Sequence, residues 1–425
     1  MIVLAGGDLV LPDRILTNAS LIIDGTRIAA IEPQARVDTP GATIVDAADC
    51  YVVPGFVDVH VHGVEGHDTL DGGAAIAEIA SRLPRYGVTA FCPTTVACPP
   101  AELRAVLAQV KAARISRPGS SARVLPAHLE SNFINPEYRG AQPADCLRLP
   151  GSADREGPRR IGQGSLGIGQ GTENDAARAF TARDGEFTAQ DILQVIRSAR
   201  PDVGIVTLAP ELPGGIELVR SLVTAGHVVS IGHTGANFDE AIAAIEAGAS
   251  HATHLFNRMT PMTHREPGVA GALLARQDVA AELICDGYHV HPAMCRLAIT
   301  AKGIDGVMAI TDGTGGSGLP VGSTARLGGR RIRVTEHAAM LDEGTLAGST
   351  LTMDRAFKAI VARFECSIVE AATLCSMTPA RQLGLAGFGF IAEGGVADLV
   401  VLDRGFRVVR TFIDGQEAYR NGGVA

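Results

Sequence analysis

Residues 54–63, PGFVDVHVHG, carry the strongest structural signal in the chain. Their alternation places Asp58, His60 and His62 on one face of a β-strand and three valines on the other. Two imidazoles two residues apart can share one metal ion only if the end of the strand faces a cavity. The valine face must then be covered by helices, as it is in barrels of parallel strands. The stretch predicts a metal-binding strand of a buried barrel, with a chance pair of histidines on a surface strand as the alternative.

Seven further apolar, β-rich stretches follow, separated by stretches rich in Ala, Leu and Arg that suit helices. Together with the first strand they give eight candidates, which lie near residues 56–62, 87–91, 123–129, 203–208, 228–232, 250–255, 280–285 and 307–312. Eight alternating strand and helix units predict an α/β fold of the (β/α)8 TIM-barrel type.

Residues able to bind a metal or move a proton stand at the ends of these candidate strands, where such barrels carry their catalytic groups. They are His60, His62, Glu130, His233, His254, Asp286, His289 and Asp312. Taken singly, such a histidine is more often a hydrogen-bonded core residue, and an aspartate before glycine is more often a turn residue. Their occurrence at successive strand ends favours one shared site at the mouth of the barrel.

The polar residues at these ends suit a metal site. Imidazole nitrogen and carboxylate oxygen are ligands of zinc and similar divalent ions, which keep one position open for water in catalytic sites. Glu130, His233 and His254 are the predicted ligands of a first ion, and His60 and His62 are available for a second. Binuclear barrel hydrolases often bridge their metals with a modified lysine, but none of the three lysines stands at a strand end. Glu130 is therefore the predicted bridging ligand.

Asp312 is the next-to-last residue of the run GVMAITDG and is the predicted acid and base of the site. A carboxylate in that place can take a proton from water and pass it to the nitrogen that leaves when an amide is hydrolysed. Metal-assisted hydrolysis of an unactivated amide is consequently the predicted chemistry.

The two ends of the chain share a texture of short strands and turns, for example LIIDGTRIAAI and VADLVVLD. We expect residues 1–52 and 387–425 to pair into one small β-sandwich domain and residues 53–386 to form the barrel. Residues 147–186 break the rhythm, because they are rich in Gly and Arg and lack apolar periodicity. This insertion is predicted to be a lid over the site, a disordered loop or a subunit contact.

The composition is that of an ordinary globular protein. The chain has 425 residues, 46% of them hydrophobic, which suits one barrel-sized domain and a smaller one. Its net charge of −9, without a basic cluster, argues against nucleic acid or an anionic membrane as a partner. Without a basic leader or an apolar run of roughly 18 residues, the protein is predicted to be cytoplasmic. The eight cysteines form no Cys-x-x-Cys pair and are predicted to be reduced, apolar fillers.

Eight motifs occur in an order and spacing that are specific to one family. They are PGFVDVHVHG, HLESNFINPEYRGAQP, TLAPE, GHTGA, THLFNRMTPMTHREPGVAGA, DGYHVHP, TDG and GTLAGSTLTMDRA. Through them the chain resembles, over nearly its whole length, the N-acetylglucosamine-6-phosphate deacetylases of the amidohydrolase superfamily. The resemblance implies a metal-dependent hydrolase that converts N-acetylglucosamine-6-phosphate into glucosamine-6-phosphate and acetate.

The resemblance also implies roles for individual residues. It places the primary metal ligands on Glu130, His233 and His254 and the acid and base on Asp312. The second metal pair, which only some members keep, falls on His60 and His62. Contacts to the sugar phosphate fall on Ala141, Gln142, Asn257, Arg258, Arg265, His289, Leu346, Ala347 and Gly348. In relatives the arginine equivalent to Arg265 reaches the neighbouring subunit's site, which implies a homodimer. The implied cofactor is a divalent metal, Zn²⁺ in first place, with one or two ions per subunit and Fe²⁺, Co²⁺ or Mn²⁺ as alternatives.

The chain departs from the family pattern beside the site. Ser131-Asn132 stands where the family usually has Gly-Pro, Gly313 stands where relatives carry alanine, and the insertion adds Arg159 and Arg160. The alternative function is therefore the same chemistry on a different N-acyl amino sugar or N-acyl amine, with the pocket reshaped by Ser131-Asn132 and the insertion. A hydantoinase or dihydroorotase lacks its lysine bridge here, a deaminase lacks motif support, and an inactive binding protein would not need the intact ligands.

Overall fold

A computed structural model describes residues 1–35, 39–151 and 187–422 of the chain. The N-terminal strands are β1 Ile2–Val10, β2 Ile15–Asp24, β3 Arg27–Glu32, β4 Thr43–Asp46 and β5 Tyr51–Pro54. β1, β2 and β3 pair antiparallel, and the turn between β2 and β3 contains Gly25 at φ 57°, a conformation that glycine adopts at little cost. β4 and β5 pair with β1 in parallel, so these strands belong to one sheet.

The strands of the barrel follow directly. Together with the short strands β7 Gly63–Val64 and β8 His67–Asp68, this part of the chain contains β6 Phe56–Val61, β9 Val88–Thr95, β10 Arg123–Val124, β11 Ala127–Glu130, β12 Val203–Leu208, β13 Val228–Ile231, β14 His251–Ala252, β15 Ala280–Ile284 and β16 Val307–Ile310. β7 and β8 form a separate short hairpin. β10 and β11 are two parts of one predicted strand, interrupted at Pro126, which has no N–H to donate to the ladder.

The barrel closes at the end of its last strand. β6, β9, β11, β12, β13, β14, β15 and β16 pair in parallel in that order. Beyond β16 the N–H of Asp312 donates to the carbonyl of His60 (3.0 Å), and the N–H of His62 donates to the carbonyl of Gly313 (2.8 Å). The predicted (β/α)8 barrel is confirmed with all eight strands, and its closure sets Asp312 beside the two histidines of the first strand.

A small antiparallel sheet follows the last barrel strand and was not predicted. Its strands are β17 Thr324–Leu327, β18 Arg330–Val334 and β19 Ala339–Leu341. Apolar residues alternate with exposed arginines, and they form a satellite core with Val96 of the barrel. Leu327 reaches the cleft at the barrel mouth, so this sheet forms part of the site's wall.

Helices cover the outer face of the barrel. They are α1 Ala75–Arg82, α2 Pro100–Ile115, α3 Ala189–Ser198, α4 Gly215–Thr224, α5 Phe238–Glu246, α6 Gly268–Ala275, α7 Pro292–Lys302, α8 Met353–Arg363, α9 Ile368–Ala372 and α10 Thr378–Gln382, with a π-helical turn Thr373–Met377 between the last two. Capping boxes at Thr188 and Asn237 satisfy the free N–H groups that begin α3 and α5. No helix in the described part of the chain has the length and apolar character needed to cross a membrane.

The C-terminal strands β20 Leu399–Leu402, β21 Val408–Ile413 and β22 Gln416–Arg420 return to the first sheet. β20 pairs antiparallel with β5, which joins both ends of the chain in one eight-stranded sheet. The predicted union of the two ends is confirmed. β5 ends at Pro54 and β6 begins at Phe56, so we propose a domain boundary near residue 53. The second boundary, near residue 386, is likewise a proposal.

Arg123 links the barrel to the terminal sheet. Its guanidinium donates to Asp398 (Nη1 to Oδ2, 3.1 Å) and to Asp414 (Nη2 to Oδ1, 2.7 Å). The side chain of Asp398 is only 3% exposed, and burial raises its pKa while Arg123 opposes that shift. A buried carboxylate of this kind requires a charged partner, so the pair is a structural link between the two units.

Most of the predicted insertion, residues 152–186 with Arg159 and Arg160, lies outside the described residues. Its described flanks meet beside the barrel. Leu147 and Phe187 share one apolar cluster, and Arg148 Nε donates to the carbonyl of Phe187 (2.8 Å). The insertion therefore leaves and rejoins the barrel at one place, and its proposed roles stay predictions.

Candidate active site

Three strand ends supply the residues predicted to bind the first metal ion. Glu130 is the last residue of β11, and His233 and His254 each follow the end of a strand by two residues. Both histidines have a positive φ, 49° and 31°, which is costly for a residue with a Cβ. Strained backbone of this kind is common at functional sites, where surrounding structure holds it in place.

The side chains of these three residues converge. Glu130 Oε1 lies 2.9 Å from His233 Nε2 and 3.0 Å from His254 Nε2, and the two ring nitrogens are 3.0 Å apart. All three residues are buried, and their donor atoms face one common point. Two nitrogens and a carboxylate oxygen in this arrangement suit one divalent ion with a further position left for water.

A second group lies against the first. His60 Nε2 and His62 Nε2 are 3.2 Å apart, and Asp312 Oδ1 lies 3.4 Å and 3.3 Å from them, respectively. Glu130 Oε2 lies 3.3 Å from His62 Nε2, while its other oxygen faces His233 and the first group. Glu130 therefore faces both groups, as a bridging ligand must.

Glu130, His62 and His254 are held in charged forms by their neighbours, whereas burial lowers the pKa of His60 to about 4. Burial alone would raise the pKa of Glu130, but the rings of His233 and His254 hold it well below its usual range. Burial also opposes a charge on His62, but Asp312 and Glu130 outweigh it and raise the pKa of His62 to about 10. Glu130 likewise overcomes burial and raises the pKa of His254 to about 9. Protons and a divalent cation thus compete for the same donor atoms, which supports a metal site.

Neighbouring groups orient the first ligands. His233 Nδ1 donates to the carbonyl of Tyr138 (2.8 Å), and Gln142 Nε2 donates to Glu130 Oε2 (2.5 Å). Glu211 accepts hydrogen bonds from Thr234 Oγ1 and from the Gly235 N–H, both at 2.6 Å, and so fixes the turn that carries His233. Hydrogen bonds of this kind hold ligand rings in one tautomer and orientation.

Two carboxylates lie behind the ligands inside the barrel. Asp58 accepts a hydrogen bond from Thr311 Oγ1 (2.6 Å), and Glu282 Oε2 lies 2.9 Å from His60 Nδ1. Both are fully buried, and burial raises the pKa of each to about 7. Glu282 was not singled out from the sequence, although a charged residue inside the apolar run AAELI was the signal that could have identified it.

The metal-binding groups other than His60 line an open cleft of about 470 Å³. Its wall consists of His62, Val96, Glu130, Gly140, Ala141, Gln142, His233, His254, Asn257, Arg258, His289, Asp312, Leu327, Leu346 and Gly348. The structure therefore brings most of the predicted substrate contacts together with the predicted ligands in one place.

Two of the predicted substrate contacts lie apart from this wall. Arg265 is exposed on the segment that follows β14 and does not reach the cleft of its own chain. Ala347 is buried in the satellite core of the small sheet, and its N–H donates to the carbonyl of Ala339 (3.0 Å). Its neighbours Leu346 and Gly348 line the cleft instead.

The guanidinium of Arg258 gives one part of the cleft a cationic character, and His289 lines the same cleft. His289 Nδ1 bonds to Asp286 Oδ2 (2.6 Å), which leaves a buried Nε2 without a hydrogen-bond partner among the described residues. The guanidinium of Arg258 packs against Gly140, where a Cβ would come within 2.8 Å of Arg258 Nε. A guanidinium and an imidazole facing one space are well suited to a phosphate group.

The expectation that Ser131-Asn132 reshapes the pocket is corrected by the structure. Ser131 Oγ donates to the carbonyl of Thr207 (2.5 Å), and Asn132 Nδ2 donates to the carbonyls of Cys98 (2.9 Å) and Cys146 (2.7 Å). Both side chains are buried and neither lines the cleft, because backbone carbonyls satisfy them behind it. The pair organises the loop after β11 and contributes no residue to the wall of the cleft.

Comparisons with known proteins agree with this architecture. Residues 216–418 match the amidohydrolase family. The chain is 32% identical to the N-acetylglucosamine-6-phosphate deacetylase of Bacillus subtilis strain 168, over 97% of this chain and 95% of that protein. It is 31% identical to the N-acetylgalactosamine-6-phosphate deacetylase of Escherichia coli O157:H7, over 93% of each.

A solved structure shows the same fold. It is a mutant N-acetyl-D-glucosamine-6-phosphate deacetylase of Mycobacterium smegmatis in complex with N-acetyl-D-glucosamine-6-phosphate. The two chains superpose with a TM-score of 0.81 at 29% identity, over 98% of this chain and 99% of that one.

A parallel barrel with histidines and carboxylates gathered at one mouth defines an amidohydrolase. Within that class, the chain belongs to the N-acetylglucosamine-6-phosphate deacetylase family, as its identity over nearly the whole length shows. The resemblance seen in the sequence is confirmed. Family membership implies a divalent metal, and the described residues include groups that could hold one.

Proposed function

We propose that the protein hydrolyses the N-acetyl group of N-acetylglucosamine-6-phosphate and releases glucosamine-6-phosphate and acetate. One observation carries the proposal: a single cleft combines buried metal-binding groups with cationic side chains suited to a phosphate. The complex of the Mycobacterium smegmatis relative with its sugar phosphate supports the same class of ligand.

The residues at the barrel mouth fit one or two divalent ions. Glu130, His233 and His254 would hold the first, and His60 and His62 the second, with Glu130 between them. We propose Zn²⁺, because imidazole nitrogen and carboxylate oxygen suit it, with Fe²⁺, Co²⁺ and Mn²⁺ as alternatives. Such an ion, when bound, polarises an amide carbonyl and lowers the pKa of water.

Asp312 is the proposed proton carrier. Burial opposes its ionisation, but His60 and His62 outweigh that effect and hold the pKa of Asp312 below its usual range. The carboxylate is therefore ionised at neutral pH and can accept a proton from the water that attacks the amide carbon. The same proton can then pass to the amide nitrogen, which must be protonated before the C–N bond breaks and the amine leaves.

The cationic part of the cleft is proposed to bind the phosphate. Arg258 offers a fork of N–H donors, and the free Nε2 of His289 offers another donor when protonated. Gly348 adds backbone to this wall at φ 54°, and a Cβ there would come within 2.9 Å of the carbonyl of Asp312. With the phosphate held there, the acetamido group would be directed toward Glu130 and Asp312.

We propose a homodimer in which Arg265 contributes to the neighbouring subunit's cleft. Its exposed position, away from the cleft of its own chain, supports this role. Measuring the molar mass in solution, and acetate release by Arg265→Ala, tests both parts. We also propose a cytoplasmic location, since a bilayer excludes the charged substrate, and cell fractionation tests it.

The C4 epimer of the sugar is a second candidate substrate. The relative from Escherichia coli that acts on N-acetylgalactosamine-6-phosphate is nearly as similar to this chain as the glucosamine enzyme of Bacillus subtilis. N-acetylgalactosamine-6-phosphate carries the same acetamido and phosphate groups, so the same two parts of the cleft would bind it.

The experiment is acetate release by the metal-loaded protein from both phosphorylated epimers and from unphosphorylated N-acetylglucosamine, with Asp312→Asn as the blank. We expect turnover of N-acetylglucosamine-6-phosphate to be the fastest and the unphosphorylated sugar to be poor. Preference for the galactosamine epimer would change the named substrate but keep the chemistry. Equal turnover with and without phosphate would refute the proposed role of the cationic part.

A further inference from the structure

Glu282 lies beneath the second pair of predicted ligands, inside the barrel. It occupies the middle of β15, and its side chain and that of His60 are both 0% exposed. Glu282 Oε2 is 2.9 Å from His60 Nδ1, on the side of the ring opposite to the cleft. A carboxylate rarely occupies such a place unless it has a polar partner.

This contact determines which nitrogen of His60 is available. If Nδ1 carries the proton and donates it to Glu282, the lone pair lies on Nε2, which faces His62 and Asp312. The same carboxylate oxygen accepts a hydrogen bond from the backbone N–H of His254 at 3.3 Å, a longer and weaker contact. Glu282 is therefore bonded most closely to the second ligand pair.

A competing explanation is that Glu282 itself binds an ion together with His60 and His128, since their donor atoms lie close together. The hydrogen bonds of His128 oppose it. His128 Nδ1 bonds to the carbonyl of Val59 (3.0 Å), and Nε2 bonds to Thr207 Oγ1 (2.7 Å). Because both ring nitrogens are engaged, His128 has no free lone pair that faces Glu282.

We propose that Glu282 is a positioning residue that holds His60 in the tautomer and orientation needed to bind the second metal ion. The inference rests on the proposed metal site and goes beyond it, because it assigns occupancy of the second position to a residue outside the cleft. Carboxylates that accept the other N–H of a metal-binding histidine typically change metal affinity by about 10–100-fold when they are removed.

The test is a titration of the metal-stripped protein with Zn²⁺ in the presence of a competing chelator, for wild type, Glu282→Leu and Glu282→Gln. We expect wild type to bind two equivalents. In Glu282→Leu the second equivalent should weaken by about 10–100-fold, with the first changed by about threefold or less. Glu282→Gln should fall between the two, because its amide oxygen can still accept the proton of His60 Nδ1.

Asp398→Asn is the matched control, since it removes a buried carboxylate at the junction with the terminal sheet. It should lower the melting temperature and leave both metal affinities unchanged. Equal weakening of both equivalents in Glu282→Leu, an unchanged second equivalent, or a single equivalent in wild type would each overturn the inference. If Glu282→Leu does not fold, Glu282→Gln decides, and wild-type affinity in that variant contradicts the inference.

The titration requires no substrate, so it separates this inference from the proposed function. Wild-type protein that releases no acetate from either sugar phosphate but shows the Glu282 effect would refute the function and keep the inference. Active wild-type protein without the Glu282 effect would support the function and refute the inference.

Discussion

Two regions of the molecule neutralise their buried carboxylates in different ways. At the junction of the barrel and the terminal sheet, Asp398 is bonded to Arg123, a cation that keeps its proton in proteins. At the barrel mouth, Glu130 and Asp312 face imidazoles, which exchange protons far more readily. The permanent partner makes a structural link, whereas the exchangeable one leaves carboxylates able to bind a metal ion or carry a proton.

Residues with a positive φ occur in both regions, but they serve different purposes. In the terminal sheet, positive φ values occur at Asn18, Asp49 and Asp414, residue types that adopt them most readily, and also at Phe406. At the barrel mouth they occur at His233, His254 and Asp312. At the mouth, positive φ values thus coincide with the residues predicted to bind the metal or carry the proton.

Among the variants that test this contrast, Asp312→Asn is expected to cause the largest loss of activity. The amide cannot take the proton of the attacking water, so acetate release should fall by about 10²–10⁴-fold while metal content stays at the wild-type level. Asp398→Asn, the same change at the junction, should leave kcat unaltered. Near-normal turnover by Asp312→Asn, with metal content measured on the same sample, would remove Asp312 from its proposed role.

Metal affinity should depend strongly on pH. His62 and His254 have pKa values raised to about 10 and 9, so both rings are protonated at pH 7 before a metal binds. Each ion must displace one of these protons, so the affinity for Zn²⁺ should rise by up to about 10-fold per pH unit at each site, until about pH 9 for the site that holds His254. Calorimetric titration in buffers of different ionisation enthalpy measures the protons released, and a count of zero would contradict the assignment.

His289→Ala tests the cationic part of the cleft. Losing one charge-assisted hydrogen bond to the phosphate should raise KM for the sugar phosphate by about 10–100-fold with little change in kcat. The unphosphorylated sugar serves as the control, because its KM should not change. A parallel loss for both sugars would show that His289 supports the cleft without binding phosphate.

Arg123→Met should affect the junction alone. It leaves Asp398 buried without its partner, so the free energy of unfolding should fall by about 3 kcal/mol, near the lower end for a broken buried pair. At a temperature where the variant is folded, acetate release should equal that of wild type. Denaturant titration and the activity assay on one preparation measure both, and a large loss of kcat would show that the two regions are coupled.

Much of this contrast was visible in the sequence, because strand periodicity and the position of polar residues at strand ends are local signals. All eight barrel strands were predicted, and the closure of the barrel explains how Asp312 meets His60 across 250 residues of chain. A barrel fold carries such residues to one mouth, so the order of strand ends was sufficient to predict that the candidate ligands would meet.

The parts that were not predicted depend on side-chain direction and on weak local patterns. The small sheet of residues 324–341 has an apolar alternation, but its many arginines conceal it. Ser131 and Asn132 lie beside the metal ligands in sequence, yet their hydrogen bonds turn them away from the cleft. Glu282 serves a ligand from a different strand, a relation that only the closed barrel reveals.

The most direct measurement is a crystal structure of Asp312→Asn with Zn²⁺ and N-acetylglucosamine-6-phosphate. We expect the acetamido group beside Glu130 and His254, and the phosphate against Arg258 and His289. A phosphate bound at the metal ligands, or a sugar held outside the cleft, would contradict the central claim that one barrel mouth binds the phosphate and hydrolyses the N-acetyl group.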